Sequence, residues 1–278
     1  MKVVITGASG FIGRALTARL QASGHDIEPL RTRKTTDVPR CDAVVHLAGE
    51  SVAQRWTTEA KRRIHDSRVE SARRIVESFK LLSPPPAVLV SASAVGIYGS
   101  RGDEVLTENS QPGSGFLAEV CVAWEREARA ATALGVRVVN PRIGVVLGRG
   151  GGALERMLPM FSHGAGGNLG SGRQWWSWIH LDDLTALIEF ALSDTRLEGP
   201  VNATTPQPVT NSDFTRALGA ALHRPAVLPV PAFALKLKLG EMASMLLDSQ
   251  RVMPEAARAA GFEFRYPEIG PALAGIVA

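Results

Sequence analysis

The sequence predicts a doubly wound α/β fold, a parallel sheet covered by helices on both faces, with a small lobe made from the C-terminal half. Three observations carry this. Residues 1–150 alternate short β-rich runs with stretches of helical periodicity. The β-rich runs are continuously apolar rather than alternating, as in strands buried on both faces. A glycine-spaced turn joins the first run to the first helix. The 278 residues, 45% hydrophobic and 21% charged, suffice for one large domain with an appendage.

The elements follow in order. Residues 2–6 form a strand, and Phe11, Ile12, Ala15, Leu16 and Leu20 recur at helical spacing, with Gly24 at the C-terminal cap position. "DIEPLR" is the second strand, and residues 42–49 are a buried strand ending in a turn. Residues 57–80 read as one long helix, broken by "SPPP" at 83–86, before a strand at 87–93. A helix over 115–134 and a strand over 136–148 that enters a loop complete the first part. The rhythm then changes. "GRGGGAL" and "GAGGNLGSG" read as loops, "PVNATTPQPVTNSDF" as a strand and a helix capped near Asn211 or Ser212, and residues 231–278 as a helical tail. With no repeat and no flexible linker, residues 1–150 are expected to form the core. Residues 151–278 are expected to form a substrate-side lobe and a helical module interleaved with it.

A net charge of +4 and a pI near 9.4, with basic residues scattered outside "AKRRIHDSR" at 60–68, suit a small anionic ligand. Aromatics are only 6% and no nucleic-acid signature is present, so nucleic acid is not an expected partner. Cys41 and Cys121 give neither a disulfide framework nor a metal site. No run of about 18 apolar residues exists, so no membrane span is expected. The first strand begins almost at Met1, which leaves no signal peptide and points to the cytoplasm. The oligomeric state, monomer or homodimer, stays open.

Gly7, Gly10 and Gly13 stand between the first strand and the first helix as GxxGxxG. Gly7 permits the tight turn, Gly10 lets backbone approach a pyrophosphate, and Gly13 lets helix and sheet pack closely. Free N–H groups and the helix dipole attract the anion. The dinucleotide is expected to be NADP rather than NAD. The second strand ends toward Arg31, Arg33 and Lys34, which suit a 2′-phosphate, while Glu28 comes too early to meet a 2′-hydroxyl.

"TGASGFIG", "VVHLAG", "LVSASAVGIYG" and "NPRIGVVLG", in that order, resemble the extended branch of the short-chain dehydrogenase/reductase superfamily, a Rossmann fold that includes nucleotide-sugar epimerases and dehydratases. "HLAGESV", "FLAEVC", "GVVLGRGGGAL", "SWIHLDD" and "NATTPQPVTN" are similar to an atypical "epimerase family" subgroup, whose C-terminal module of undefined role matches "GEMASMLLDSQRVMPEAARAAGFEFRYPE". The resemblance implies that Gly7, Gly10, Phe11 and Ile12 line the pyrophosphate. It places Leu47, Ala48 and Gly49 beside the adenosine and ribose, Ser91 and Ser93 beside the nicotinamide, and Pro141 against its ribose or carboxamide. Arg68 stands where typical members carry Asn and could reach a phosphate or a substrate anion.

Typical members use a tyrosine and, one helical turn on, a lysine that lowers its pKa and binds the ribose. Here Leu117 and Cys121 occupy those places, and neither Tyr98 nor Tyr266 is followed four residues on by lysine. Ser93 remains as a candidate to polarise the reacting oxygen, with Tyr98 as a substitute proton donor. Cys121, Lys61 and Arg68 are further candidates. "GSGRQWWSWIHLDD" at 170–183 could shape a lid, with Asp182 or Asp183 capping the helix that follows His180. Two functions remain open: an NADP-dependent oxidoreductase or epimerase of unknown small-molecule substrate, or a catalytically degenerate NADP-binding sensor or scaffold. A link of some relatives to division of plastids or bacterial cells suits the second.

Overall fold

The computed structural model describes residues 1–31 and 37–278. In chain order the strands are β1 (Lys2–Thr6), β2 (Asp26–Leu30), β3 (Ala43–His46), β4 (Val88–Ser91), β5 (Ser93–Ala94), β6 (Val105–Leu106), β7 (Arg137–Ile143), β8 (Val145–Leu147), β9 (Trp175–Trp176), β10 (Trp178–His180), β11 (Gly199–Ala203), β12 (Val209–Thr210) and β13 (Arg251–Val252). The main sheet runs β2-β1-β3-β4-β7-β11, with β5 on β7, and every pairing in it is parallel. The chain reverses direction across the sheet between β1 and β3, which opens a crevice at their C-terminal ends.

Helices α1 (Phe11–Ala22), α2 (Thr58–Asp66), α3 (Val69–Phe79), α4 (Phe116–Arg129), α5 (Gly152–Ser162) and α6 (Leu181–Ser193) come next in order. They are followed by α7 (Asn211–Ala221), α8 (Ala232–Leu239), α9 (Ser244–Leu247), α10 (Glu255–Ala259) and α11 (Ile269–Val277). Leu16 and Leu20 of α1 and Leu184, Leu187 and Ile188 of α6 bury one face of the sheet. Ile75, Val76 and Phe79 of α3 and Ala128 of α4 bury the other. Apolar strand residues with both faces covered account for the unbroken apolar runs. A third core, built on Leu154, Trp176, Trp178, Phe214, Leu218 and Leu273, holds the lobe together. Because α6 and β11 return to the main sheet, residue 150 is no boundary in space.

Four local expectations need correction. The helix expected over 57–80 is two, α2 and α3. The Ser67 hydroxyl donates to the Ile64 carbonyl (3.1 Å) while accepting the Glu50 N–H (2.9 Å), and the Arg68 N–H takes a tighter bond to the His65 carbonyl (3.0 Å), which ends α2. The strand expected over 136–148 breaks at Gly144, where a Cβ would stand 2.5 Å from the Ser177 carbonyl oxygen. Neither Asp182 nor Asp183 caps α6. His180 does so, its Nδ1 accepting the Asp182 N–H at 3.1 Å, and likewise Thr210 rather than Asn211 caps α7.

Candidate active site

The glycine turn is shaped for an anion. A Cβ at Gly13 would lie 2.1 Å from the Gly7 carbonyl oxygen, and one at Gly7, where φ is +72°, would lie 2.9 Å from the Ala48 nitrogen. These glycines let β1, α1 and the chain after β3 meet at one point. Gly10 begins α1 with no side-chain cap, and no acidic residue stands in the first turn. Its N–H groups therefore remain available to a phosphate, the arrangement a dinucleotide needs. Thr6 fixes the neighbouring strand end, its Oγ1 accepting the N–H groups of Leu47 and Ala48, both at 3.2 Å.

A cavity of about 680 Å³ runs from this turn along the C-terminal ends of the strands to residues 241–250. Gly7, Gly10, Phe11, Ile12, Leu47, Arg68 and Ser93 line it. Ala48, Gly49, Ser91, Pro141 and Tyr98 do not. Pro141 sits two residues inside the end of β7, so Ile143 and Gly144 reach the mouth instead. Gly49 acts indirectly, since a Cβ there would meet the Arg68 guanidinium at 3.0 Å. Arg31 is exposed at the end of β2, whereas Arg33 and Lys34 lie outside the described residues.

On α4, Leu117 and Cys121 both line the cavity. Burial first, and then the charge of Glu125, pushes the Cys121 thiol up to about 11, so it is protonated near neutral pH. Beside it lies the half-buried Arg68. Its Nη1 donates to the Ile64 carbonyl at 3.1 Å, and its guanidinium carbon stands 5.5 Å from the centre of the Trp124 ring. The charges of Cys121, when ionised, and of Glu50 act on it. Burial lowers its pKa, although an arginine so placed stays charged. Arg68, reaching over from the start of α3, thus brings a cation to the part of the cavity that Cys121 lines.

Ser93 and Tyr98 are engaged elsewhere. Ser93 Oγ donates to Glu125 Oε1 at 2.7 Å, and Arg142 holds that carboxylate through Nε (2.9 Å) and Nη2 (3.0 Å). Arg142 Nη1 donates to the Tyr98 hydroxyl at 2.9 Å. That hydroxyl has Asn202 Oδ1 at 2.7 Å and the Thr107 carbonyl at 2.9 Å as acceptors. Tyr98 is 0% exposed, and burial raises its pKa. Its hydroxyl is turned to these partners, and Tyr98, for which a proton-donor role was expected, does not line the cavity. Ser93 reaches the cavity, but its proton belongs to Glu125.

The tryptophan-rich stretch is lobe core rather than a lid. Trp176 and Trp178 are buried, and Trp175 donates from Nε1 to Asp103 Oδ1 at 2.8 Å. His180 stacks on Tyr266 with ring centres 3.9 Å apart. Sequence reasoning missed Trp56, Phe116, Met245 and Asp248, which line the cavity from segments far apart in the chain. Among the described residues no cluster of three His, Cys, Asp or Glu could hold a metal ion, and no helix is long and apolar enough to cross a membrane.

Fold and cleft together define a doubly wound α/β protein whose first turn leaves helix N–H groups uncapped and whose fourth helix carries no tyrosine–lysine pair. The chain belongs to the NAD dependent epimerase/dehydratase family, whose profile matches residues 3–203. Residues 230–276 match a second profile, described only as a domain of unknown function (DUF1731). The chain is 45% identical to the epimerase family protein SDR39U1 homolog, chloroplastic, of Arabidopsis thaliana, covering 100% of this chain and 87% of that one. It is 36% identical to epimerase family protein YfhF of Bacillus subtilis, covering 100% and 98%. A crystal structure of human epimerase family protein SDR39U1 (isoform 2) with NADPH matches at a TM-score of 0.94 and 34% identity over 99% of both chains.

Proposed function

We propose that this protein binds NADP(H) and is an oxidoreductase or epimerase whose cleft has been rebuilt around Arg68. The observation that carries the reading is the half-buried guanidinium, set over the Trp124 ring and beside Cys121, where the resemblance to typical relatives would place a lysine. When bound, the nicotinamide supplies or accepts hydride. The chain's own residues orient it. The N–H groups at the start of α1 bind the pyrophosphate, and Arg68 meets the ribose hydroxyls or a nearby phosphate oxygen. Glu125 and Arg142 keep Ser93 in place at the start of β5. The choice of NADP rests on Arg31 and on the relative whose structure contains NADPH. Titration of the protein with NADPH and NADH, followed by nicotinamide fluorescence, tests the reading. NADPH should bind about tenfold or more tightly than NADH, and Arg31→Ala should narrow the gap. Lack of saturable binding by either nucleotide overturns the proposal.

One observation favours a second reading, a nucleotide sensor without turnover: the hydroxyl protons of Ser93 and Tyr98 are both committed inside the protein. Tight NADPH binding with no oxidation across a panel of carbonyl compounds and sugar nucleotides would select it.

A further inference from the structure

The far end of the cavity differs in chemistry from the glycine turn. Trp56 and Phe116 form an edge-to-face pair with centres 5.1 Å apart, and the Trp56 indole N–H is held by the Val52 carbonyl at 2.9 Å. Val52, Leu117 and Met245 extend this apolar wall. Its charges are few. Arg68 is the cation among the described lining residues, and Glu241 and Asp248 are the acids. Lys61, near the rim, is paired to Glu241 at 2.5 Å and lies 5.1 Å from the centre of the Phe116 ring, so Glu241 competes with any ligand anion for it.

Asp248 is different. It follows α9 and faces the cavity in part, and among the described residues no hydrogen bond or ion pair engages its carboxyl group. Burial alone pushes its pKa up. A half-buried carboxyl without a partner is costly to the free protein unless a ligand supplies one. The segment bearing it is fixed rather than loose. Gln250 Nε2 donates to the Gly99 carbonyl at 3.1 Å, the Ser249 N–H to Ser100 Oγ at 3.2 Å, and Ser249 Oγ to the Gly102 carbonyl at 2.7 Å. Asp248 is thus held at the wall of the cleft by bonds from Ser249 and Gln250 to the loop that follows Tyr98.

A nucleoside diphosphate sugar would bring a second diphosphate into this space. Such a group needs several arginines, lysines or free backbone N–H groups, and here it would meet an aromatic wall, a Lys61 already paired to Glu241, an acid, and Arg68 as the one cation among the described lining residues. We infer that residues 241–250 of the C-terminal module form the substrate wall of the cleft. The chamber they close takes an uncharged, largely apolar carbonyl compound or alcohol, its oxygen hydrogen-bonded by Asp248, and not a nucleoside diphosphate sugar. The inference rests on the proposed function only in giving the other end of the cavity to NADP(H).

Binding of 1-naphthol and of UDP-glucose to the full-length protein, with and without NADP+, tests it by calorimetry. The 1-naphthol should bind saturably, while UDP-glucose should not bind to the NADP+-loaded protein. Met245→Glu and Asp248→Leu should each weaken 1-naphthol by about tenfold or more while changing NADPH affinity by less than about twofold. Met245 is 36% exposed and Asp248 has no partner to lose, so both variants should keep the fold. Saturable UDP-glucose binding to the loaded protein, absence of 1-naphthol binding, or 1-naphthol binding indifferent to both substitutions overturns the inference. Failure of NADPH to bind would count against the nucleotide site alone, because the 1-naphthol titration on nucleotide-free protein still reads the chamber.

Discussion

Replacing Arg68 by alanine removes a guanidinium that stacks on Trp124 and abuts Gly49, and the loss should appear first in nucleotide affinity. Arg68→Ala is expected to weaken NADPH by about tenfold to a hundredfold, the scale of a charged hydrogen bond. Arg68→Lys should recover only part of it, since an ammonium lacks the planar fork and stacks poorly. Titration of both variants by nicotinamide fluorescence measures this. A second residue-scale expectation concerns His46, 1% exposed at the end of β3, where Nδ1 shares a hydrogen with Thr6 Oγ1 at 2.7 Å. Burial, then the Arg68 charge, lowers its pKa from 6.5 to about 4. The unfolded chain therefore binds a proton that the folded protein refuses. The neutral-histidine fold keeps its full stability above pH 6.5 and loses it as pH falls toward about 4. The loss is on the order of 3 kcal/mol. The His46 ring resonances should not titrate above pH 5.5 or so in an NMR series.

Helix α4 offers a test of the relocated charge. Cys121→Lys restores the lysine of typical relatives but sets it beside Arg68, and should cost about 3 kcal/mol or more as an unpaired buried cation. Adding Arg68→Asn should return at least about 1 kcal/mol, a coupling that denaturant melts of the full cycle would read. In the first helix, Gly13→Ala should abolish NADPH binding and destabilise the fold by about 3 kcal/mol, because the added carbon would sit 2.1 Å from the Gly7 oxygen. Patterns at this scale were the most legible in sequence. Strands read as unbroken apolar runs because both their faces are covered, and the glycine turn is local chemistry. The missing pair was equally plain, since an absent tyrosine is a fact of sequence. What periodicity could not show was the break at Ser67, where a side-chain hydroxyl competes with the helix, and hence the direction of Arg68. The true reach of Tyr98 was also hidden. Its partners Arg142 and Asn202 lie 44 and 104 residues further along the chain.

Across the molecule, the C-terminal module is bound to the core by polar groups that leave no free half. Asn202 Nδ2 donates to the Met253 carbonyl (2.9 Å), and Glu108 Oε1 accepts the N–H groups of Asn202 (2.9 Å) and Ala256 (3.1 Å). The buried Asp183 accepts those of Arg265 and Tyr266, both at 2.9 Å. Asp183→Ala should strand two backbone donors and lower stability by about 2–4 kcal/mol in chemical denaturation. A chain ended before residue 230 is expected to aggregate, since α7 would lose the cover of Leu273 and Ile276. The assembly of the cleft from β1, α3, α4 and the module is where sequence reading stopped, because Trp56 and Asp248 lie far apart in the chain and are joined only by folding.

The run "GRGGG" at 148–152 has a consequence for mutational tolerance. Added Cβ atoms at Gly148, Gly151 and Gly152 would stand 3.2, 2.4 and 2.9 Å from the Phe11 ring, while one at Gly150 would touch nothing within 4 Å. In a library covering this run, Gly150, at φ +74°, should accept asparagine, and Gly151 should reject even alanine until Phe11 is shortened, while Gly148 is closed also by the Leu181 Cβ at 2.8 Å and Gly152 by its φ of +73°. Such second-site rescue would mark the run as a socket for one aromatic ring, so that two segments separated by more than a hundred residues are free to vary only together.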